Sequence, residues 1–224
     1  MSLYTFPDVI QGTDEWHDLR RGIVTASTVG KLVTTSTLKV ARNETSRGLV
    51  TSLVAERITG HTEPSPMTDD MWRGVEHEPH ARVAYAKHTG ADVAEMGFMA
   101  REEDGWRLGY SPDGLPGDDG LIEIKCPRQK GHLHTILEDA VPPQYMAQVQ
   151  AGLFVSGRAW CDYVSFCAGM PLFIKRVHPD EQWHQAIQSA VEAFEQAAAD
   201  MTSNYTRAVE GMPATERIDF EVVI

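Results

Sequence analysis

Between Tyr110 and Pro127 the chain reads Tyr-Ser-Pro-Asp-Gly-Leu, turns through Pro116-Gly-Asp-Asp-Gly120, and continues Leu-Ile-Glu-Ile-Lys-Cys-Pro. Leu121, Ile122, Ile124 and Cys126 form an apolar run interrupted only by Glu123 and Lys125, the pattern of a buried strand with a polar face. Alternation along a strand puts Glu123 and Lys125 on one side of it. Asp113 precedes a Gly-rich turn, so the chain can double back and bring that carboxylate beside Glu123. A fold that accommodates this stretch must therefore close an Asp, a Glu and a Lys onto one bend.

Two carboxylates on a hairpin are hard oxygen donors of the kind Mg²⁺ takes, usually one or two at a time with its other positions left to water and phosphate oxygens. A neighbouring lysine can orient or deprotonate a water, or offset charge on a phosphorane-like transition state. These are the parts of a metal-dependent phosphodiesterase. Glu-x-Lys is a common tripeptide and by itself reads rather as an exposed pair on an edge strand after a hairpin turn; the remaining motifs turn the reading toward the site.

Pro112-Asp113 followed by Glu123-Ile-Lys125 resembles the PD-(D/E)XK nuclease signature. Ser111-Pro-Asp-Gly114 with Glu123-Ile-Lys-Cys-Pro127 is similar to the phage lambda exonuclease (YqaJ-type viral recombinase) branch. Three further stretches resemble that branch in the same order: Glu15-Trp-His-x-Leu-Arg20 with Val24-Thr-Ala-Ser27, Gly74-x-x-x-Glu78 with Ala81, and Tyr145-Met-Ala-Gln-Val-Gln150. The resemblance covers roughly residues 14 to 178.

It implies an α/β fold with a restriction-endonuclease-like (PD-(D/E)XK) core, a mixed β-sheet flanked by helices. It further implies a Mg²⁺-dependent 5′ to 3′ exonuclease on linear double-stranded DNA ends, with Mn²⁺ as a substitute, releasing 5′-mononucleotides and leaving 3′ single strands for recombination by strand annealing. By the same resemblance Glu78, Asp113, Glu123 and the Ile124 carbonyl hold the metal, and Lys125 positions and activates the attacking water. Arg20, Ser27, Ser111 and Gln148 grip the 5′-phosphate, and Met71 aligns with an apolar residue that wedges open the terminal base pair. Expected partners are DNA ends, two further copies in a ring-shaped homotrimer, and a single-strand annealing protein. Two alternatives use the same residues: a structure-selective or restriction-type endonuclease, and a non-enzymatic DNA-end-binding module.

The chain has 224 residues, 42% of them apolar and 23% charged, the composition of an ordinary globular protein. It is read as a single nuclease domain over 1–224, with a helical part to about 90, a sheet core with the catalytic hairpin to about 178, and a C-terminal helix and tail. No apolar run approaches the ~20 residues of a membrane span, and no basic segment precedes an apolar one at the start, so no membrane partner and a cytoplasmic location in a bacterial host are expected. Cys126, Cys161 and Cys167 are odd in number and lack a Cys-x-x-Cys, which excludes a disulfide framework, a zinc site and a four-cysteine cluster. The net charge of -12 opposes general DNA affinity. Basic residues nonetheless gather in sequence, at Arg20-Arg21, Lys31, Lys39, Arg42 and Arg47, then at Lys125, Arg128 and Lys130, a local footprint on an acidic body.

Along the chain, Thr13 is expected to cap a helix that buries Trp16 and Leu19 and stops at Gly22, and Ser27 to cap a second helix through Leu32. Residues 34 to 46 read as a mobile loop that meets DNA. Helices are expected from Leu49 to Gly60 and from Met71 to Gly90, the latter with Pro79 in its first turn or at a kink. His77 and His80 read as surface or supporting residues, because hard cations prefer oxygen. Val93–Ala100 and Trp106–Tyr110 read as strands of one sheet with the Glu123 strand third. His132 and His134 fall in a loop, Gln144–Phe154 in a helix, and Trp160–Phe166 with Leu172–Val177 in a hairpin. Asp180 caps a long helix striped with Trp183, Ile187, Val191 and Phe194. After Thr202 comes a polar tail, with Phe220–Ile224 apolar enough for an edge strand.

Overall fold

The computed structural model describes residues 2–64 and 66–218; the Phe220–Ile224 strand expected from the sequence lies outside them. The first half contains β1 (Ser2–Phe6), α1 (Asp14–Arg20), β2 (Val24–Thr25), α2 (Ala26–Val29), β3 (Val33–Thr34), β4 (Lys39–Val40), α3 (Glu44–Thr59) and α4 (Asp69–Thr89). Then follow β5 (Val93–Ala94), β6 (Phe98–Glu103), β7 (Trp106–Tyr110), β8 (Leu115–Pro116) and β9 (Gly120–Lys125). The remainder is α5 (Gln129–Glu138), α6 (Pro143–Ser156), β10 (Trp160–Ser165), β11 (Phe173–Val177) and α7 (Glu181–Ala208). Among the described residues no helix is long and apolar enough to cross a membrane.

The strands form two principal sheets rather than the one expected. One has the order β1-β6-β7-β2, the other β11-β10-β9. In the second, β9 runs parallel to β10, with Glu123 opposite Tyr163 and Lys125 opposite Ser165. A parallel partner requires a crossover, which α5 and α6 supply. No ladder joins β9 to β7, the strand before the bend: the short β8 between them pairs with β5, and a single bridge from Gly114 to Ile122 closes the bend. Pro112 and Pro116, which have no N–H to donate, interrupt the hairpin the sequence suggests.

The main core lies between the first sheet and α6 and α7, with Leu108, Tyr110, Leu121, Val149, Leu153, Tyr163, Ile187, Val191 and Phe194 fully buried. The stripe expected on α7 thus faces inward. A smaller core under α4 joins Ala81 and Tyr85 to Ile122, Ile124 and Val164. β9 is therefore apolar on both faces except at Glu123 and Lys125, and its two faces belong to different cores.

Several expected elements differ. Residues 34–46 are not a free loop: β3 and β4 pair Val33 with Val40, Leu38 and Val40 pack on the core, and Asn43 caps α3 through Ser46. Thr25, not Ser27, caps α2, in a reciprocal bond with Thr28. Trp16 and Leu19 are only half-buried. α4 continues through Pro79, which lies in its interior and not in its first turn, and is closed by Thr68 at its start and a left-handed Gly90 at its end; those caps and the packing of Ala81 and Tyr85 outweigh the bond that the proline removes. His132 lies in a helix, because its ring is fully buried between Ser165 Oγ at 2.8 Å and the Pro171 carbonyl at 2.9 Å. α7 continues to Ala208 across the expected tail.

Candidate active site

β9 ends at the bend, and three elements meet there. Its outward N–H groups are taken by the turn after β7: Ile122 N donates to the Gly114 carbonyl at 3.0 Å, and Ile124 N donates to Asp113 Oδ2 at 2.6 Å. The close approach requires glycine at 114, where a Cβ would lie 2.5 Å from Val93 and 2.8 Å from Ile122. Asp113 is thereby fixed beside the strand that carries Glu123 and Lys125, as its place before the turn predicts.

Glu123 is 1% exposed and fully engaged. Lys125 Nζ donates to Oε1 at 2.7 Å, Gln148 Nε2 from α6 donates to the same oxygen, and the Tyr110 hydroxyl donates to Oε2 at 3.4 Å. Gly152 on α6 makes room for Tyr110; a Cβ there would stand 2.7 Å from the ring. Lys125 also lies 5.5 Å from the centre of the Tyr145 ring, which stacks on Tyr163. Burial works to lower the Lys125 pKa, but Glu123 and Asp113 outweigh it and hold the ammonium above its usual value.

Glu78 reaches the same place from α4. Burial pushes its carboxyl up; Arg82 opposes the shift and Glu123 adds to it. Burial, and then the Glu123 charge, hold Asp113 well above the usual carboxylate range. The Tyr110 hydroxyl is raised by its burial and by Glu123, and the half-buried Cys126 thiol is pushed to about 12 by burial, then by Glu78 and Asp113. Three carboxyl groups thus crowd against two cations, Lys125 and Arg82, and the second of these is shared with Glu95.

Among the described residues no three Asp, Glu, His or Cys side chains stand close enough to enclose an ion: Glu78 is held by Arg82 at 2.7 Å and Glu123 by Lys125. The donor chemistry still fits a hard divalent cation, since the groups are carboxylate oxygens in a partly desolvated cluster short of positive charge. His77 is not among them; its ring meets Phe166 edge-on, and His80 is exposed.

A second cluster lies at the C-terminal ends of β2 and β7. Arg20 Nη1 donates to Ser111 Oγ at 3.3 Å and Trp16 Nε1 donates to the same hydroxyl at 2.8 Å, while the Arg20 guanidinium lies 3.9 Å from the centre of the Trp16 ring. The turn at Gly22 anchors this arginine: its N–H donates to Glu56 and its carbonyl accepts from Arg57. Burial lowers the Arg20 pKa to about 10, with Glu56 opposing, so the side chain remains cationic at neutral pH. Ser27 is exposed, 3.1 Å from the Thr25 hydroxyl. β2 and β7 are parallel with Thr25 opposite Gly109, so Ser27 and Ser111 each stand two residues beyond a paired position.

The structure therefore joins Asp113, Glu123, Lys125 and Gln148, brings Glu78 to their border, and joins Arg20 to Ser111. Met71 stands apart on the first turn of α4, 46% exposed, its N–H held by Thr68. Sequence reasoning missed Arg82, Tyr110 and Trp16 as site residues. Arg82 was legible as the residue one turn after Glu78; Trp16 read as a core aromatic and Tyr110 only as the end of a strand.

Residues 15–159 match the YqaJ-like viral recombinase domain. The structure is similar to an alkaline exonuclease (LHK-Exo) from Laribacter hongkongensis, with 34% identity over 90% of this chain and 100% of that one and a TM-score of 0.80. It is equally similar to LHK-Exo in complex with dAMP, at 35% identity, the same coverage and a TM-score of 0.79. A phage related exonuclease from Haemophilus somnus 129PT shares the fold at 14% identity, over 84% of this chain and 99% of that one, with a TM-score of 0.64. No curated protein sequence matches the chain. The restriction-endonuclease-like fold expected from the Pro-Asp and Glu-x-Lys motifs is the one present, and the chain belongs to the YqaJ-like viral recombinase family.

Proposed function

We propose that this protein is a Mg²⁺-dependent DNA exonuclease of phage-type recombination that degrades linear duplex DNA from its 5′ ends and leaves 3′ single strands. The observation that carries the reading is the meeting of Asp113, Glu123 and Lys125 at the end of β9, with Glu78 facing them. The similarity to LHK-Exo, an alkaline exonuclease by its name and solved in complex with dAMP, supports it.

In this reading Glu78, Asp113, Glu123 and the Ile124 carbonyl hold Mg²⁺, or Mn²⁺ in its place, which when bound supplies Lewis-acid polarisation of the scissile phosphate. Lys125, cationic between Glu123 and Tyr145, orients the water that attacks phosphorus and offsets charge in the transition state. Gln148 keeps the Glu123 carboxylate turned toward the bend. Arg20, Ser27, Ser111 and Gln148 hold the terminal 5′-phosphate. The bond from phosphorus to the departing 3′-oxygen breaks, that oxygen takes up a proton, and a 5′-mononucleotide leaves. The new end again bears a 5′-phosphate. Met71 is placed against the terminal base pair, and the chain works inside a bacterial cell as a ring-shaped trimer beside a single-strand annealing protein.

Digestion of duplex DNA with Mg²⁺ tests the reading. Loss of 5′-phosphorylated linear strands, slower loss of 5′-hydroxyl ends and intact closed circles are expected. Cutting of circles would move the assignment to an endonuclease, and no cutting with either Mg²⁺ or Mn²⁺ would leave a binding module. A monomer by size-exclusion chromatography with light scattering would remove the ring.

A further inference from the structure

Arg82 stands one helical turn beyond Glu78 on α4 and donates in three directions. Nη2 reaches Glu78 Oε1 at 2.7 Å, Nε reaches the Asp113 carbonyl at 2.7 Å, and Nη1 reaches Glu95 Oε1 at 3.0 Å. Two of these partners belong to the proposed cation site but to different elements, a helix and the turn before β8. The third is on the periphery, since the Glu95 side chain is 79% exposed, where an ion pair contributes little. A planar guanidinium has fixed donor directions, so one side chain sets both the rotation of Glu78 and its spacing from the Asp113 backbone. A lysine at the same position carries the same charge to a single point and cannot span both.

We infer that Arg82 is a positioning residue that sets the separation of Glu78 and Asp113, and through it the affinity of the site for a divalent cation. The inference rests on the reading of those carboxylates as cation ligands. Outer groups that orient ligands are typically worth about 10–100-fold in metal affinity, and the two inner contacts of Arg82 put it in that position.

Calorimetric titration of the full chain with Mn²⁺ alone, comparing the unsubstituted protein with Arg82→Lys and Glu95→Gln, tests it without recourse to activity. Arg82→Lys is expected to weaken Mn²⁺ binding about tenfold or more while its thermal midpoint in EDTA stays near that of the unsubstituted chain. Glu95→Gln is expected to stay within about twofold. Should the lysine variant fail to fold, Arg82→Gln takes its place, with the same expected weakening. An Mn²⁺ affinity unchanged by substitution of Arg82, or moved as far by Glu95→Gln, overturns the inference and leaves the nuclease reading standing. No Mn²⁺ binding by the unsubstituted protein overturns the metal-dependent reading along with it.

Discussion

Lys125 and Glu123 are two residues apart on one strand, yet their pairing is more than local, because Glu123 is buried and its other partners, Gln148 and Tyr110, come from α6 and β7. Replacing Lys125 by Met removes the cation proposed to act in the transition state and leaves Glu123 without its charged partner. The expected result is a rate loss of about 10²–10³-fold per folded molecule, together with lower stability, both measured on linear duplex DNA and by thermal unfolding. Asp113 and Glu78 act in the opposite sense. Their carboxyl pKa values are raised in the folded chain, so folding binds protons there. The stability they contribute is present below the ordinary carboxylate range and is lost as pH rises through the raised values. Metal-free protein is therefore expected to melt lower at pH 8 than near pH 5.5, and Asp113→Asn to narrow that gap while abolishing cleavage. At about 2–4 °C per kcal/mol for a chain of this size, thermal scans in EDTA resolve the difference; a gap unchanged by Asp113→Asn would refute the assignment.

Element by element, legibility followed how local the determinants were. α6, α7 and the C-terminal part of α3 carried their own stops or apolar stripes, whereas the start of α3 at Asn43 was hidden in a stretch that read as loop; the Asp113 turn was readable from Pro112, Gly114 and the Glu-x-Lys strand. α5 was not, because His132 and Gly131 oppose a helix locally and the ring is satisfied only by Ser165 and Pro171, distant in sequence. The split of the sheet was equally hidden, since the partner of β9 arrives after two helices. Arg20 and Ser111 were legible as motif residues, whereas the indole that joins them was not, because nothing local tells a hydrogen-bonding Trp16 from a packing one. Gly152 permits a concrete prediction at this scale. An added Cβ would press on the fully buried Tyr110 ring, so Gly152→Ala is expected to cost about 1–3 kcal/mol by overpacking and to lower the cleavage rate by displacing Tyr110 from Glu123. Denaturant unfolding and rates on the same preparation separate the two effects. A variant that unfolds like the unsubstituted chain would show that α6 yields without strain.

The whole molecule carries a net charge of -12, so affinity for DNA depends on where its cations lie. Lys31, Lys39, Arg42, Arg47, Arg128 and Lys130 are exposed, although Arg128 is engaged by Asp70 at 2.9 Å. Binding to a duplex end should weaken steeply with salt, and each of Lys39→Ala and Arg42→Ala should reduce the logarithmic slope by about 0.9 if that residue touches a phosphate. Slopes unmoved by both substitutions would place the DNA path away from the β3–β4 hairpin. The bend at Asp113 bears on stability as well. β9 borders its sheet, with Leu121 and Ile122 on one side of Glu123 and Ile124 on the other, and is buried from Gly120 to Ile124, where an unpaired amide would cost stability. Its outward amides are satisfied by the Gly114 carbonyl and by the Asp113 carboxylate, so the acid proposed for chemistry also completes the hydrogen bonding along the border of the sheet. Alanine at 113 would unmask one of those amides, and asparagine would keep it covered.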